Sequence, residues 1–251
     1  MDFFAFGPIA AALTAAYSVV HGLSTLLVPF AGAGSAAIAI VLVTLLLRSA
    51  LIPVGISQVR AQIARQRLAP KLQAIQKRYK NNRELLLRKT QELYSAEKVS
   101  PFAGLLPTLI QAPVISLVYG LFVRSEIGGH SNALLSQHLF GVPLGTSLTQ
   151  LLGGGAAIPG VLVFVALLTI IGFVAAQTRR VALATPPDPS ATAVTLRLTR
   201  AMSWLPFLTV IFAAIVPLAA TLYLTVTTSW TLIERAVLQR RLAGPPQIAI
   251  A

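Results

Sequence analysis

Arg48 is the only charged residue in the apolar run from Ala36 to Ile56. Placing an arginine at the centre of a spanning helix costs roughly 2.5 to 3.5 kcal/mol. Such residues usually face a polar cavity, a partner charge or a nearby interface. The chemistry Arg48 offers is electrostatic: an acidic segment 4 Å away would be attracted by about 4 kcal/mol where the effective dielectric is near 20. No carboxylate lies inside any apolar run to neutralise it. The competing account is snorkelling, for which the roughly 12 Å of helical rise from Arg48 to Ile56 is a long reach.

Other chemistries lack their residues. The chain has no H-E-x-x-H, no P-loop, no G-x-S-x-G and no pair of carboxylates within an apolar run. His21, His130 and His138 fall in segments read as external or interfacial, so no metal site is expected. Cysteine is absent, which excludes disulfides and thiolate ligands. The expectation is a protein that is not an enzyme and carries no cofactor.

What must position Arg48 is a set of membrane helices. Of 251 residues 55% are hydrophobic and 11% charged, and the mean hydropathy is +0.77, values of an integral membrane protein. Ala36 to Ile56 makes about 31 Å of helix, one hydrocarbon thickness. The expected plan is an all-α, five-span helical bundle with spans over 36–56, 101–123, 156–177, 201–216 and 217–233. The uncharged run Ala201 to Ile233 is too long for one untilted crossing, and Pro217 divides it. Residues 1–35 carry Asp2 but no Lys or Arg and read as an external, interfacial helix. A further span over Ile9 to Phe30 is the competing reading. With Asp2 and no basic start, a cleavable signal peptide is not expected.

The formal charge is +13, and its placement orients the chain. Segment 57–100 holds 11 bases against three acids. Loop 178–200 and tail 234–251 hold seven more bases, whereas the external loop 124–155 holds Arg124 alone. By the positive-inside rule the amino terminus is outside and the carboxyl terminus inside. Between the first two spans, Val59, Ile63, Leu68, Leu72, Ile75 and Tyr79 recur at helical spacing. Lys80-Asn81-Asn82 reads as a turn, with Asn82 as the cap of a return helix. The result is a basic, cytoplasmic helical hairpin.

The string LLLRSALIPVGISQVRAQIARQRLAPKLQAIQKRYKNN, followed by KVSPFAGLLPTLIQAPVISLVYGLF, resembles the YidC/Oxa family of membrane protein insertases. The shared parts are an arginine within a span, a proline soon after it, a basic hairpin with an A-P-K-x-x-x-x-x-K-x-Y pattern, and an L-P-x-x-x-Q-x-P span entry. The likeness runs from about Pro8 to Leu242. It implies a hydrophilic, positively charged groove within the membrane, lined by Arg48, Gln111 and Gln177. It also implies substrate recruitment by the hairpin bases Arg60, Arg65, Arg67, Lys71, Lys77 and Arg78. Departures lie near the end: Leu224 stands where many members have tryptophan, and Thr227 and Thr228 stand where asparagines are common.

The resemblance implies an insertase and chaperone in a bacterial plasma membrane, guiding nascent membrane proteins into lipid without nucleotide or covalent chemistry. Its partners would be those nascent chains, membrane lipids, and the ribosome or the Sec translocon, with no role for DNA. A small-solute secondary transporter is the alternative, since a charge at mid-membrane and proline-broken spans occur there too, although no internal repeat relates the two halves.

Overall fold

The computed structural model describes residues 7–100, 116–117, 119–154, 158–184 and 193–242. Most of the expected second span, including Pro107, Gln111 and Pro113, lies outside the described residues; of 101–123, helical turns are described at 116–117 and 119–123. The first helix, α1 (Gly7–Ala31), is followed by a short 3-10 turn and α2 (Ser35–Ala50). Gly32, at φ +49°, supplies the left-handed residue that reverses the chain. The expected external segment is thus a 25-residue helix. It crosses the start of α2, where the Ser24 and Ser35 hydroxyls lie 3.3 Å apart. Tyr17 on α1 accepts a hydrogen bond from the Ala133 backbone N–H at 3.3 Å.

The sequence reads one helix through Ile56, but the helix is interrupted sooner. Helix α2 ends at Ala50, Leu51 intervenes, and α3 (Ile52–Arg78) begins with Pro53 in its first turn. The cause is local: Pro53 has no N–H to give the carbonyl four residues back, so that rung of the ladder is missing, and proline is best accommodated in the first turn of a new helix. Asn82 then caps α4 (Arg83–Ala96), its side chain accepting from the Leu85 N–H at 3.0 Å. An ion pair between Lys71 and Glu97 ties α3 to the end of α4.

The segment expected to be an external loop carries structure of its own. Two antiparallel ribbons form, β1 (Glu126–Ile127) with β2 (His130–Ser131) and β3 (His138–Leu139) with β4 (Val142–Pro143). Two short helices, α5 (Ala133–Ser136) and α6 (Leu148–Gly153), accompany them. Asn132 organises this region while buried. Its amide donates to the carbonyls of Leu121 and Arg124 at 2.8 and 3.0 Å, and its oxygen accepts from the Leu134 N–H at 3.2 Å.

Among the described residues four further helices complete the bundle: α7 (Ile158–Ala184), α8 (Ala193–Met202), α9 (Leu205–Ile215) and α10 (Leu218–Leu242). Both α9 and α10 pack on α7, and α10 also packs on α2. Small residues fill the interior at Ser35, Ala36, Ala37, Ala39, Ala219, Ala220 and Thr221, while Leu162, Phe173, Leu208 and Ile211 face outward. Small residues inside and large apolar ones outside are what helices need when lipid is the solvent. The stretches Gly7–Ala50, Ile158–Ala184 and Arg197–Ile215 are each long and apolar enough to cross a membrane.

The break between α9 and α10 follows from one proline. Pro217 pushes the residue before it out of helical geometry, and Val216 is extended at φ −79°, ψ 161°. Pro217 also leaves the Ala213 carbonyl without its helical donor. The buried Thr221 hydroxyl takes that place, donating to Ala213 O at 2.7 Å. The next N–H groups are satisfied by the preceding loop, Leu218 N donating to Thr146 O and Ala219 N to Leu144 O, both at 2.9 Å. Thr221→Val keeps the shape and removes that donor. It is expected to cost about 1 to 3 kcal/mol, the penalty for orphaning a buried carbonyl. Thermal unfolding in detergent should show a lowered midpoint; an unchanged one would mean that Ala213 has another donor.

Candidate functional site

Arg48 lies in the last turn of α2, where the carbonyl end of the helix favours a cation. Its Nε donates to the Thr227 hydroxyl of α10 at 2.7 Å, and Thr227 itself is buried. That bond holds the guanidinium at the wall of a cavity of about 620 Å³. Helix α3 contributes Gln62 and Gln66, α7 contributes Ile171, Val174 and Thr178, and α9 contributes Pro206 and Thr209. Opposite them α10 places Thr227, Thr228, Thr231, Arg235 and Gln239. Because residues on both sides of Pro217 line one space, α9 and α10 double back on each other.

The hydroxyls have a common arrangement. Thr178, Thr228 and Thr231 donate to carbonyls one turn back on their own helices, at 2.9, 2.8 and 2.8 Å. Each donor is therefore committed to the helix, and the oxygen lone pairs remain for water or for a donor in the cavity. At one end Arg179 lies with its guanidinium carbon 4.1 Å from the Trp204 ring centroid, a cation–π contact that pins the end of α7 beside the start of α9. The cavity thus combines two cations, Arg48 and Arg235, with amide and hydroxyl groups and an apolar wall. It can hydrate a polar segment and attract a negative one.

A second, smaller cavity of about 160 Å³ adjoins Arg48 and is lined also by Gly55, Gln58, Thr231, Glu234 and Arg235. The sequence offers no acid within the apolar runs, yet Glu234, one residue past Ile233, is folded back into this space. Its Oε2 accepts from the Trp230 indole N–H at 3.0 Å, while its Oε1 is buried with no hydrogen-bond partner among the described residues. Burial pushes its carboxyl above the ordinary value, and the Trp230 bond, Arg48 and Arg235 pull it back. No carboxylate lies inside an apolar run, as the sequence has it, but Glu234, just past one, shares this cavity with Arg48.

The other residues named from the sequence are distributed differently. Gln111 lies outside the described residues. Gln177 is half-buried on α7 but does not line the cavity, which its neighbour Thr178 does. Among the hairpin bases, Arg60 and Arg67 line a separate cavity of about 340 Å³ with Glu97 and Leu242. Lys71 is paired with Glu97, Arg78 lies 5.7 Å from the Tyr79 ring centroid, and Arg65 and Lys77 are exposed on α3. None of the six lines the Arg48 cavity; α3 reaches it through Gln62 and Gln66. Sequence reasoning missed those glutamines, Thr209, Thr231 and Glu234. The available signal was spacing: Gln62 with Gln66, and Thr227 with Thr231, are each one helical turn apart.

Residues 28–244 match the family model described as 60Kd inner membrane protein. The chain is 36% identical over 125 residues to the membrane protein insertase YidC of Clostridium perfringens, covering 49% of this chain and 52% of that protein. It is 39% identical over 99 residues to the Oceanobacillus iheyensis protein of the same name, covering 38% of this chain and 39% of the other. Over 93 residues it is 42% identical to the chloroplastic inner membrane protein PPF-1 of Pisum sativum, 37% of this chain and 20% of that one. The matched segments thus span about half or less of these relatives.

Proposed function

Since the chain belongs to the 60Kd inner membrane protein family, that of the YidC/Oxa proteins, we propose that it is an insertase and chaperone guiding newly made membrane proteins into the bilayer. The observation that carries this reading is Arg48, held by Thr227 at the wall of a cavity lined by glutamines and threonines. A short polar segment at the end of an incoming helix enters the recess and keeps water and hydrogen-bond partners there. That lowers the cost of moving it across hydrocarbon. The apolar part of the client partitions into lipid, and no nucleotide is consumed.

The proposal includes a five-span topology in the cell membrane with the amino terminus outside and the carboxyl terminus inside. It is supported by the placement of the bases and by the reversal at Pro217, which returns Arg235, Arg240 and Arg241 to the side of the other basic loops. In this reading the groove opens to cytosol and lipid, and Gln111 and Gln177 belong to it by family resemblance alone. The basic pair α3 and α4 recruits clients in the cytosol, through ribosome, Sec translocon or anionic-lipid contacts. No observation favours a solute transporter.

The test uses the absence of cysteine. A single Arg48→Cys variant is expected to react with a membrane-impermeant thiol reagent supplied from the cytosolic side, at least about tenfold faster than a cysteine at the lipid-facing position Leu46, since a thiol must be hydrated to ionise and react. Equal protection at the two positions would remove the hydrated groove.

A further inference from the structure

Glu234 is placed with more care than a stray surface carboxylate requires. Its side chain is half-buried, with Oε2 fixed by Trp230 and Oε1 enclosed. Its seat exists because residue 55 has no side chain. A Cβ at Gly55 would lie 2.0 Å from Glu234 Oε1. Gly55 sits within helix α3, and its φ is not positive, so the backbone does not demand glycine there; space for the carboxylate does. Arg48 and Glu234 line the same small cavity without forming an ion pair, each held instead by its own neutral neighbour, Thr227 and Trp230.

We propose that Glu234 is an internal counter-anion of the Arg48 recess, competing with acidic segments of incoming clients and so setting the groove's preference among them. The proposal rests on the insertase reading. A guanidinium bonded directly to a carboxylate would be spent, whereas one that only shares a cavity with a carboxylate retains open donor sites under a reduced field. An acidic client residue entering the recess is drawn by Arg48 and Arg235 and repelled by Glu234. A neutral polar segment meets the same hydroxyls and amides and is indifferent to that balance. Removing the carboxylate charge therefore strengthens the hold on acidic segments selectively.

The charge balance can be read without any client. In the full chain, Thr231→Cys places a thiol where both cavities meet, and Thr228→Cys provides a second reporter on the same helix. The rates of modification by an anionic and a cationic methanethiosulfonate reagent give a ratio that follows the local electrostatic potential. Glu234→Gln keeps an oxygen for Trp230 and is expected to raise the anionic-to-cationic ratio by about fivefold, the loss of one nearby unit charge in a hydrated site. Gly55→Ala, which displaces the carboxylate, should shift it in the same direction by less. A ratio unchanged at both reporters overturns the proposal, whatever the chain's activity.

The second arm uses proteoliposomes and two clients, one with two aspartates in its polar segment and one with asparagines there. Glu234→Gln is expected to shift competition toward the aspartate client by about threefold, within the same electrostatic range. Equal competition in Glu234→Gln and parent overturns the role of Glu234 while leaving the insertase reading in place. Failure of the parent chain to insert either client overturns the insertase reading, and the preference with it.

Discussion

Arg48→Gln is expected to reduce insertion of a client bearing an acidic polar segment by about tenfold to a hundredfold in proteoliposomes, read as protease protection of the client's translocated end. The magnitude follows from charge. A full unit-charge attraction of about 4 kcal/mol at 4 Å would correspond to more than this range, and water in the cavity screens part of it. A client with a neutral polar segment should lose only about threefold, because the hydroxyls and glutamines that hydrate it remain and one hydrogen-bonding group has changed. Arg48→Lys should retain an intermediate level, since lysine keeps the charge but loses the planar donor set that reaches Thr227 while leaving nitrogens free. Equal losses for acidic and neutral clients would mean that Arg48 acts through packing, and undiminished insertion of both would end its role in the groove.

The features legible in the sequence were those with a local cost. A charge in a 21-residue apolar run announces itself because no bilayer tolerates it without a reason, and Arg48 is at the cavity wall. Pro217 likewise breaks the helix where the residue before it must be extended. Asn82 caps α4 through its own side chain, a rule that operates within four residues. Helical repeats and basic stretches are likewise local signals.

What escaped was whatever depends on two distant segments meeting. Pro53 is visible, but the interruption at Leu51 puts Arg48 in the last turn of α2, and its bond to Thr227 crosses 179 positions of sequence. In the sequence Thr227 stands out only as a departure from the family pattern, yet it holds the guanidinium. Glu234 follows the apolar run by one residue and reads as cytosolic, although Gly55 opens space for it in the fold. The ribbons near His130 and Val142 contain two residues per strand, too few for an alternating pattern to be seen. Asn132 caps α5 by a local rule like that of Asn82, but its bonds to the Leu121 and Arg124 carbonyls carry no spacing signature.

Deleting Arg60 to Lys98 is expected to reduce insertion at least about tenfold while α2, α7, α9 and α10 stay folded. The expectation rests on charge: the segment from Ser57 to Ser100 holds a net +8, and each base near an anionic surface is worth about 1 kcal/mol. The deletion removes more than charge, because Ala61 and Leu68 on α3 are buried and Gln62 and Gln66 line the Arg48 cavity. A charge-only variant separates the two effects. Changing Arg60, Arg65, Arg67, Lys71, Lys77 and Arg78 to glutamine preserves helix propensity and the apolar stripe, and gives up only exposed contacts such as the Lys71–Glu97 pair, of a kind worth at most about 1 kcal/mol. If recruitment is electrostatic, that variant should lose most of what the deletion loses, and the parent's insertion rate should fall with added salt while the variant's stays nearly flat. A deletion defect with full activity in the charge-only variant would assign the segment's role to its packing beside Val59 and to the groove wall that Gln62 and Gln66 provide. Normal insertion by the deletion would make it a passive linker and leave the groove around Arg48 to capture clients unaided.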